Sequence, residues 1–311
     1  MKTVWTSENV PDQTGKVVIV TGSSSGIGFE AARVLANKNA EVVIAVRNIE
    51  KGNTAVAKIA AQNKDARLKV IRLDLADLAS VREFASEFHS KFMRLDRLIN
   101  NAGVMIPPYS KTVDGFELQF GTNHIGHFAL TGLLLELLEK TDGSRIVNVS
   151  STAHKTGNIN FDDLTWENRR YSAWRAYGDS KIANLYFTFE LDRKLKQQGS
   201  NVIVTAAHPG WTATELQRHM GIFEFLNSLF AQEISMGALP TLRAAFDSDV
   251  NGSEYFGPDG FLELWGNPVR VPANQLAQDK QIAAKLWNIS EEATGIRFAF
   301  ARGSQSLPSV P

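Results

Sequence analysis

Two residues of this sequence have the types and the spacing needed to move a proton. Tyr177 and Lys181 lie four positions apart in YGDSK, and the pattern that follows (IANLYFTFELDRKL) places both on one face of a helix. A phenol with an ordinary pKa of about 10 is a weak acid at neutral pH, but a nearby ammonium stabilises its phenolate. We therefore expect Lys181 to lower the pKa of Tyr177. Such a pair is common in proteins, so its weight depends on its surroundings.

Polar side chains that could assist this pair precede it in the chain. A predicted strand ends in VSSTAH, which places Ser150 and Ser151 at a strand carboxyl end, where ligands bind in open α/β sheets. A serine hydroxyl there can hold a substrate carbonyl oxygen as negative charge develops on it. Asn123 is an amide within an apolar helical pattern (TNHIGHF), and a bound water leading to Lys181 would satisfy it.

A glycine-rich turn near the N-terminus has the form of a phosphate-binding site. The first predicted strand runs into TGSSSGIG at 21–28, whose glycines follow the spacing GxxxGxG. Glycine permits a tight turn and close backbone approach, and the N-terminus of the next helix offers N–H donors to a pyrophosphate. The turn therefore predicts a dinucleotide site. Its predicted contacts are Gly22, Ser24, Ser25, Gly26, Ile27 and Gly28.

The end of the second predicted strand favours NADP(H) over NAD(H). An NAD site typically has a carboxylate there for the ribose 2′-hydroxyl, whereas this sequence reads AVRN, with Arg47 and Asn48. A guanidinium binds a 2′-phosphate in a bidentate manner, and a carboxylate would repel it. We therefore predict NADP(H) as the cofactor. The alternative is that Arg47 caps a solvent-facing strand end.

Two further strand ends add predicted cofactor contacts. Asp74 and Leu75 end the third strand, where they could contact the adenine ring. NNAG ends the fourth strand, where the Asn101 amide could bond to neighbouring strands and Ala102 and Gly103 would let the cofactor approach the backbone. Each also has an alternative as ordinary strand-end turn chemistry.

The elements that must position these residues alternate along the chain. Strands are predicted at 16–20, 41–46, 68–73, 94–100, 145–150 and 201–207, and helices at 27–38, 49–62, 77–91, 114–138 and beyond Tyr177. Near-continuous apolar strands separated by helices indicate a parallel sheet covered on both faces. We predict a single-domain, Rossmann-like, doubly wound α/β fold of about seven strands over 14–298. An N-terminal extension (1–13) and a loose tail (299–311) would flank it.

Composition narrows the class of protein. Lys plus Arg and Asp plus Glu number 33 each, so the formal net charge is zero and no nucleic-acid partner is expected. The absence of cysteine excludes disulfides and thiolate chemistry. The polar N-terminus does not read as a signal peptide, and no run approaches the ~18 apolar residues of a membrane span. We expect no integral membrane segment and a cytoplasmic location, and the residues allow a homo-oligomer.

The histidines do not form a metal motif. His124 and His127 lie three apart on one helix with no obvious third ligand, so we interpret them as core or subunit-contact residues and predict no metal. His208, at the end of the sixth strand, is expected to shape the cofactor pocket. The remaining three read as surface or loop residues: His89, His154 and His219.

The motifs together resemble a known family. TGSSSGIG, NNAG, Asn123, VSS, YGDSK and HPGWTATEL agree in order and spacing with short-chain dehydrogenases/reductases over about residues 14–298. AVRN, SRIVNVSSTAH, the 26-residue step from Ser151 to Tyr177, and LWNISEEATG look like the retinol dehydrogenase branch and its bacterial relatives. The resemblance implies the same doubly wound fold and a nicotinamide cofactor.

The resemblance also implies a catalytic tetrad. Tyr177 would be the acid in reduction and the base in oxidation, and Lys181 would lower its pKa and bind the nicotinamide ribose. Ser151 would orient the carbonyl, and Asn123 would hold a relay water. The second serine of VSS matches the family pattern, which selects Ser151 over Ser150.

The segment after the sixth strand would close the site. Pro209, Gly210 and Thr212 match the family segment that lines the nicotinamide carboxamide, and Trp211 would contact the substrate. The apolar residues that follow favour a lipophilic substrate, although they could equally form a subunit interface or pack down. They are Leu216, Met220, Ile222, Phe223, Phe225, Leu226 and Phe230. The opposite wall could be the loop 154–176, with Phe161, Trp166, Tyr171 and Trp174.

The resulting expectation is an NADP(H)-dependent oxidoreductase that exchanges a hydride with the CH–OH or carbonyl group of a small, apolar molecule. Vertebrate retinol dehydrogenases often carry an N-terminal membrane anchor, which this sequence does not show. The first alternative is a light-dependent protochlorophyllide reductase-like enzyme, but those enzymes use a conserved cysteine and an extra loop. The second alternative is a non-catalytic NADP(H)-binding regulator, which would have no need of Tyr177 and Lys181 together.

Overall fold

One mixed sheet organises the protein. The computed structural model describes residues 4–212 and 232–300. In that part of the chain the sheet has the order β3-β2-β1-β4-β5-β6-β7-β8. Strands β1 to β7 pair in parallel, and β8 is antiparallel to β7. The strands are β1 Val17–Thr21, β2 Glu41–Val46, β3 Arg67–Arg72, β4 Arg97–Asn100, β5 Arg145–Val149, β6 Ile203–Ala207, β7 Tyr255–Pro258 and β8 Pro268–Arg270.

Helices cover both faces of the sheet. They are α1 Gly26–Asn37, α2 Ile49–Ala60, α3 Leu78–Lys91, α4 Leu118–Phe120, α5 Gly126–Glu139, α6 Ala173–Gln197, α7 Ile234–Phe246 and α8 Lys280–Thr294. Alternate residues of a strand point to opposite faces, so Ile19 packs with α3, α5 and α6 while Val20 packs with α1 and α7. The predicted doubly wound fold is confirmed. The prediction of about seven strands did not include the three-residue β8.

Two element boundaries differ from the predictions for local reasons. β4 begins at Arg97 and not at 94, because the buried Asp96 carboxylate accepts the Val17 N–H (2.9 Å) and pairs with Arg94. The helix predicted at 114–138 begins at Leu118 and contains a π-helical turn, Gly121–Ile125, between α4 and α5. Periodicity alone does not reveal such a turn, because it adds one residue without changing the apolar character.

The regions that flank the predicted domain contribute to the core. Trp5 and Val10 pack against the α1 face of the sheet, and Phe300 stacks on Trp287 on the other face. Residues 301–311 of the predicted tail lie outside the described residues. Within the part of the chain that is described, none of the helices combines the length and the apolar character that crossing a membrane requires.

Candidate active site

The glycine turn joins β1 to α1 with its backbone pressed against the end of β4. Gly22 has φ +67°, and a Cβ there would lie 2.9 Å from Ala102. A Cβ at Gly28 would lie 2.4 Å from Asn101 Nδ2, so both positions require glycine. Ser25 precedes α1, and its side chain makes no capping hydrogen bond, which leaves the first N–H groups of the helix available to an anion.

Exposed cations lie where β2 meets α2. Arg47 is exposed and follows β2, and Asn48 caps α2 by accepting the Lys51 N–H (2.9 Å). Arg47, Lys51 and Lys58 all line the same cleft as the glycine turn. No acidic residue pairs with Arg47 within 4–212 and 232–300. The arrangement offers three positive side chains to one anionic group.

The middle of the cleft is formed by the ends of β3 and β4. Asp74 accepts the Ala76 N–H at Oδ1 (3.0 Å), and Leu75 beside it is buried. The Asn101 amide donates to the Thr21 carbonyl oxygen (2.8 Å), which ties β4 to β1 as predicted from the sequence. Ala102 and Gly103 line the cleft beside them.

Tyr177 and Lys181 lie at the deep end of the cleft on α6. Both side chains are almost fully buried, with 8% and 4% exposure. The Lys181 Nζ donates to the Val149 carbonyl oxygen (3.2 Å) and lies 5.6 Å from the centre of the Tyr177 ring. The pair therefore shares one wall of the cleft, as the spacing of four residues predicts.

The pKa values of this pair correct one sequence expectation. Burial raises the pKa of Tyr177 to about 12, and a hydrogen bond from Ser151 only partly opposes it. Burial also lowers the pKa of Lys181 to about 8. We expected Lys181 to lower the pKa of Tyr177. In the protein alone, removal from water is the main cause of the shift at Tyr177 and the cause at Lys181.

Ser151 and Ser150 face different partners. Ser151 hydrogen-bonds with Tyr177, and its hydroxyl accepts the Ala153 N–H (3.2 Å). Ser150 lines the cleft but donates its hydroxyl proton to the Lys181 carbonyl oxygen (2.8 Å). Ser151 is thus the serine whose side chain meets the phenol, and Ser150 anchors the α6 backbone.

Asn123 lies directly behind the cleft in the π-helical turn. Its Oδ1 accepts the Val104 N–H (2.8 Å), and its Nδ2 donates to the Val104 carbonyl (3.0 Å) and to Ser180 Oγ (2.9 Å). The expected water is therefore not needed to satisfy the side chain, since protein groups take both of its N–H donors. A Cβ at Gly103 would lie 3.1 Å from Asn123 Oδ1 and 3.6 Å from Lys181 Nζ, so the amide and the ammonium share one small region.

The segment after β6 forms the remaining wall. Pro209 lines the cleft, and its carbonyl accepts the Thr212 hydroxyl (2.9 Å). Gly210 has φ +66°, and the Trp211 N–H donates to the Leu264 carbonyl (2.6 Å). The apolar residues predicted to cover the substrate, from Leu216 to Phe230, lie outside the described residues.

One cleft of about 610 Å³ brings most of the predicted residues together. It runs from Arg47 past the glycine turn and the strand ends to Tyr177 and Lys181. Of the predicted residues, Asn123, Ser151, Gly210, Trp211 and Thr212 stand behind or beside this cleft. Sequence reasoning missed Lys51, Thr54 and Lys58 as lining residues. These residues are three and four positions apart, which places them on one face of α2 just after Arg47. This spacing could have identified them as lining residues.

Four of the histidines are buried in the core or next to the site: His124, His127, His154 and His208. His124 Nε2 contacts Ser290 Oγ (2.9 Å), and His127 bridges Thr21 Oγ1 (2.9 Å) and the Asn123 carbonyl (3.0 Å). The interpretation of His154 as a surface or loop residue is wrong, because it is fully buried and contacts the Ser151 carbonyl through Nδ1 (2.6 Å). Its position three residues after Ser151, at the end of a short turn, was the signal.

The loop predicted as an opposite wall lies outside the lining of the described cleft. Tyr171 donates to Glu117 Oε1 (2.9 Å) and accepts from Gln119 Nε2 (2.9 Å), and the Arg169 guanidinium stacks 3.5 Å from the centre of the Trp166 ring. These aromatic residues do not line the described cleft. They hold the loop against the segment that precedes α4.

Comparison with known proteins places this geometry in context. The sequence matches the family model described as short chain dehydrogenase over residues 16–223. Retinol dehydrogenase 12 of Mus musculus is 44% identical over 289 residues, covering 91% of this chain and 88% of that protein. Retinol dehydrogenase 13 of Homo sapiens is 42% identical over 306 residues, covering 94% and 88%.

A solved structure resembles the whole fold. An uncharacterized protein from Mycobacterium paratuberculosis has a TM-score of 0.81 and 43% identity, and the alignment covers 96% of this chain and 100% of that one. The likeness therefore extends over nearly the whole chain.

Proposed function

Because this chain belongs to the short-chain dehydrogenase/reductase family, in its retinol dehydrogenase branch, we propose that it transfers a hydride between NADP(H) and the carbonyl or alcohol group of a lipophilic molecule. The family is one of oxidoreductases that bind nicotinamide cofactors. The observation that carries the proposal is the single cleft, which has Arg47 at its open end and Tyr177 with Lys181 at its buried end.

The protein groups along the cleft fit a dinucleotide. Gly22 (φ +67°) permits the tight turn that brings the backbone to the start of α1, and the N–H groups there, which no side chain caps, suit a pyrophosphate. Arg47 and Lys51 favour a 2′-phosphate over a bare ribose hydroxyl. Asp74 is the one acid among the lining residues of the described part, and it follows β3 and not β2. We therefore favour NADP(H) over NAD(H).

The buried end supplies proton transfer at a fixed position. When bound, the nicotinamide supplies the hydride and, in its oxidised form, a positive charge beside the phenol. Tyr177 keeps its proton at neutral pH because burial raises its pKa to about 12, so it can give that proton to a substrate oxygen that gains negative charge. We assign Ser151, hydrogen-bonded to Tyr177, to the same oxygen.

Lys181 and Asn123 complete the proposed tetrad. The Lys181 ammonium lies one helical turn from Tyr177, and Lys181 lines the cleft. We therefore assign it to the nicotinamide ribose. Asn123 fixes Val104 and Ser180 next to that ammonium. We now regard the Asn123 amide as fastening this corner of the site. A relay water would then have to bind at its remaining acceptor sites.

The substrate class is inferred from the names of the relatives and from Trp211. Retinol is a long apolar alcohol, and the relatives at 42–44% identity are named for it. Trp211 follows the Pro209 wall of the cleft, where an apolar substrate would meet it. We propose a lipophilic alcohol or aldehyde of this kind, and we retain a cytoplasmic location as a prediction from the sequence.

A substrate panel tests the proposal. Retinal, retinol, medium-chain aldehydes, ketones and short polar carbonyls are assayed with NADPH and NADH, or with their oxidised forms, by absorbance at 340 nm in the dark. We expect NADPH-dependent turnover that rises with the apolar length of the substrate. NADPH binding without turnover of any carbonyl would favour a regulator, and turnover only under illumination would favour pigment reduction. A preference for NADH or for short polar carbonyls would contradict the finer assignment.

A further inference from the structure

Glu263 connects two loops of the site that the proposed chemistry leaves separate. Its side chain is 19% exposed, and its Oε1 accepts a hydrogen bond from Lys155 Nζ (2.9 Å). Its Oε2 lies 2.9 Å from His208 Nε2. Lys155 belongs to the short turn that begins directly after Ser151, and His208 directly precedes Pro209. One carboxylate therefore touches both the serine turn and the segment that lines the nicotinamide end.

The charges of this cluster are fixed by its hydrogen bonds. His208 Nδ1 accepts the Gly210 N–H (3.3 Å), so the proton of the neutral ring lies on Nε2, on the side of the carboxylate. The contact between His208 Nε2 and Glu263 Oε2 is bent and is not a straight hydrogen bond. Burial raises the pKa of the Glu263 carboxyl, but His208 and Lys155 outweigh it and bring the pKa down to about 2. At neutral pH the cluster holds a carboxylate between an ammonium and a neutral imidazole.

The backbone is strained at Glu263, the residue whose side chain makes these contacts. Leu262 (φ 51°) and Glu263 (φ 60°) are successive non-glycine residues in the left-handed region. Such a conformation persists only where the surroundings determine it. The Leu262 side chain is 65% exposed, so its burial does not account for the strain. The contacts of the inward Glu263 carboxylate and the hydrogen bond from the Glu263 N–H to the Gly260 carbonyl (3.0 Å) act on this loop together.

The Glu263 loop is packed tightly on the nicotinamide segment. The Trp211 N–H donates to the Leu264 carbonyl, and a Cβ at Gly210 would lie 2.4 Å from that same oxygen. A Cβ at Gly257 would lie 2.0 Å from His208 Nε2. Because Leu264 of the loop lies this close to Gly210, and β7 closes the other side of His208, we expect a displacement of Glu263 to move His208 and Gly210 as well.

We propose that Glu263 is a positioning residue: it fixes the Ser151 turn against the segment His208–Gly210, and so sets how a substrate carbonyl lies relative to the nicotinamide ring. The inference rests on the proposed function, which supplies the roles of Ser151 and of the nicotinamide segment. Glu263 itself touches neither the reacting atoms nor the proton that moves.

A matched pair of glycine variants tests the role of the carboxylate. Leu262→Gly and Glu263→Gly both relieve a left-handed residue and loosen the same loop, but only Glu263→Gly removes the carboxylate. We expect kcat to fall at least tenfold in Glu263→Gly, with the NADPH dissociation constant within threefold of the original protein. Leu262→Gly should keep kcat within twofold. Glu263→Gln, which preserves volume, replaces Glu263→Gly if that variant does not fold.

A second measurement does not depend on turnover. Amide hydrogen exchange at residues 152–156 and 208–212 should quicken in Glu263→Gly and stay unchanged in Leu262→Gly. Equal exchange in the two variants, or an equal loss of kcat in both, overturns the positioning role. If the original protein reduced no carbonyl, the proposed function would fail, while the exchange data would still decide whether Glu263 joins the two loops.

Discussion

The two ends of the cleft are built on opposite principles. At the open end, Arg47 is exposed and its charge is surrounded by water. At the buried end, Tyr177 and Lys181 are 8% and 4% exposed. Burial raises the pKa of Tyr177 and lowers that of Lys181, and both shifts favour the neutral form of the group. Charge–charge interactions in water are weak and screened by salt, whereas a desolvated group responds strongly to a single neighbouring charge. The open end is thus suited to recognition and the buried end to chemistry.

The comparison predicts that the largest single effect comes from the buried end. In Tyr177→Phe the ring still packs, but the proton donor is gone, so we expect kcat to fall by about 10³-fold, within the usual range for loss of a general acid. NADPH binding, measured by fluorescence, should change less than threefold, because the open end is intact.

Tyr186→Phe is the matched control for that loss. Tyr186 lies on the same helix, α6, but packs in the core cluster on the side away from the cleft. Removing its hydroxyl should leave kcat within twofold. Residual activity of Tyr177→Phe above a tenth of the original would show that another group donates the proton.

The next effect comes from charge reversal at the open end. In Arg47→Asp the carboxylate repels a 2′-phosphate and can accept a ribose hydroxyl, so the ratio of kcat/KM for NADPH to that for NADH should fall about 10²-fold. Lys64→Asp reverses an exposed charge outside the cleft and should leave the ratio unchanged. An unaltered ratio in Arg47→Asp would mean that Lys51 or Lys58, and not Arg47, recognises the 2′-phosphate.

The open end was largely predictable from sequence because its parts are local. The glycine turn and Arg47 each follow a strand directly, and the register of parallel strands places their ends at one edge of the sheet. The line of lysines on α2 was within reach of the same argument, since helical spacing places Lys51 and Lys58 on one face.

The buried end was predicted as a set of residues, but its energetics were not. The sign of the pKa shift at Tyr177 depends on how far it is removed from water, which the spacing to Lys181 does not encode. The partners of Asn123 come from Val104 and Ser180, and the cluster at Glu263 joins residues about 50 and 100 positions away. Only the fold brings such contacts together.

Acid should lower the stability of the protein through histidines that are buried beside the buried end of the cleft. Burial lowers the pKa of His154 and His127 each to about 4, so both are neutral in the fold and accept protons more readily when unfolded. The stability that depends on these two histidines being neutral is therefore fully present above pH 6.5, and it is lost as the pH falls toward 4. For His154 alone the loss by pH 5 is about 2 kcal/mol. Asp179, whose pKa burial raises to about 6, opposes this in part.

Denaturant-induced unfolding at pH 7 and at pH 5 measures that loss of unfolding free energy. His154→Gln keeps a side-chain amide beside the Ser151 carbonyl but cannot titrate, so the difference in unfolding free energy between the two pH values should shrink by about 2 kcal/mol. His89→Gln, at an exposed histidine, should leave the difference unchanged. If both variants behaved alike, burial of His154 would not be the source of the acid sensitivity.

The smallest effect is expected at the outermost cation of the open end. Lys58 lies two helical turns beyond Lys51 on α2, is exposed, and acts through water, so Lys58→Ala should raise the dissociation constant of NADPH only about two- to threefold. Raising NaCl from 50 to 500 mM should weaken binding to the original protein and erase most of its advantage over Lys58→Ala, because salt screens an exposed charge. The kcat at saturating NADPH should not respond to the same salt. A kcat that fell with salt in parallel would mean that solvent reaches Tyr177 and Lys181, and the contrast between the two ends would no longer hold.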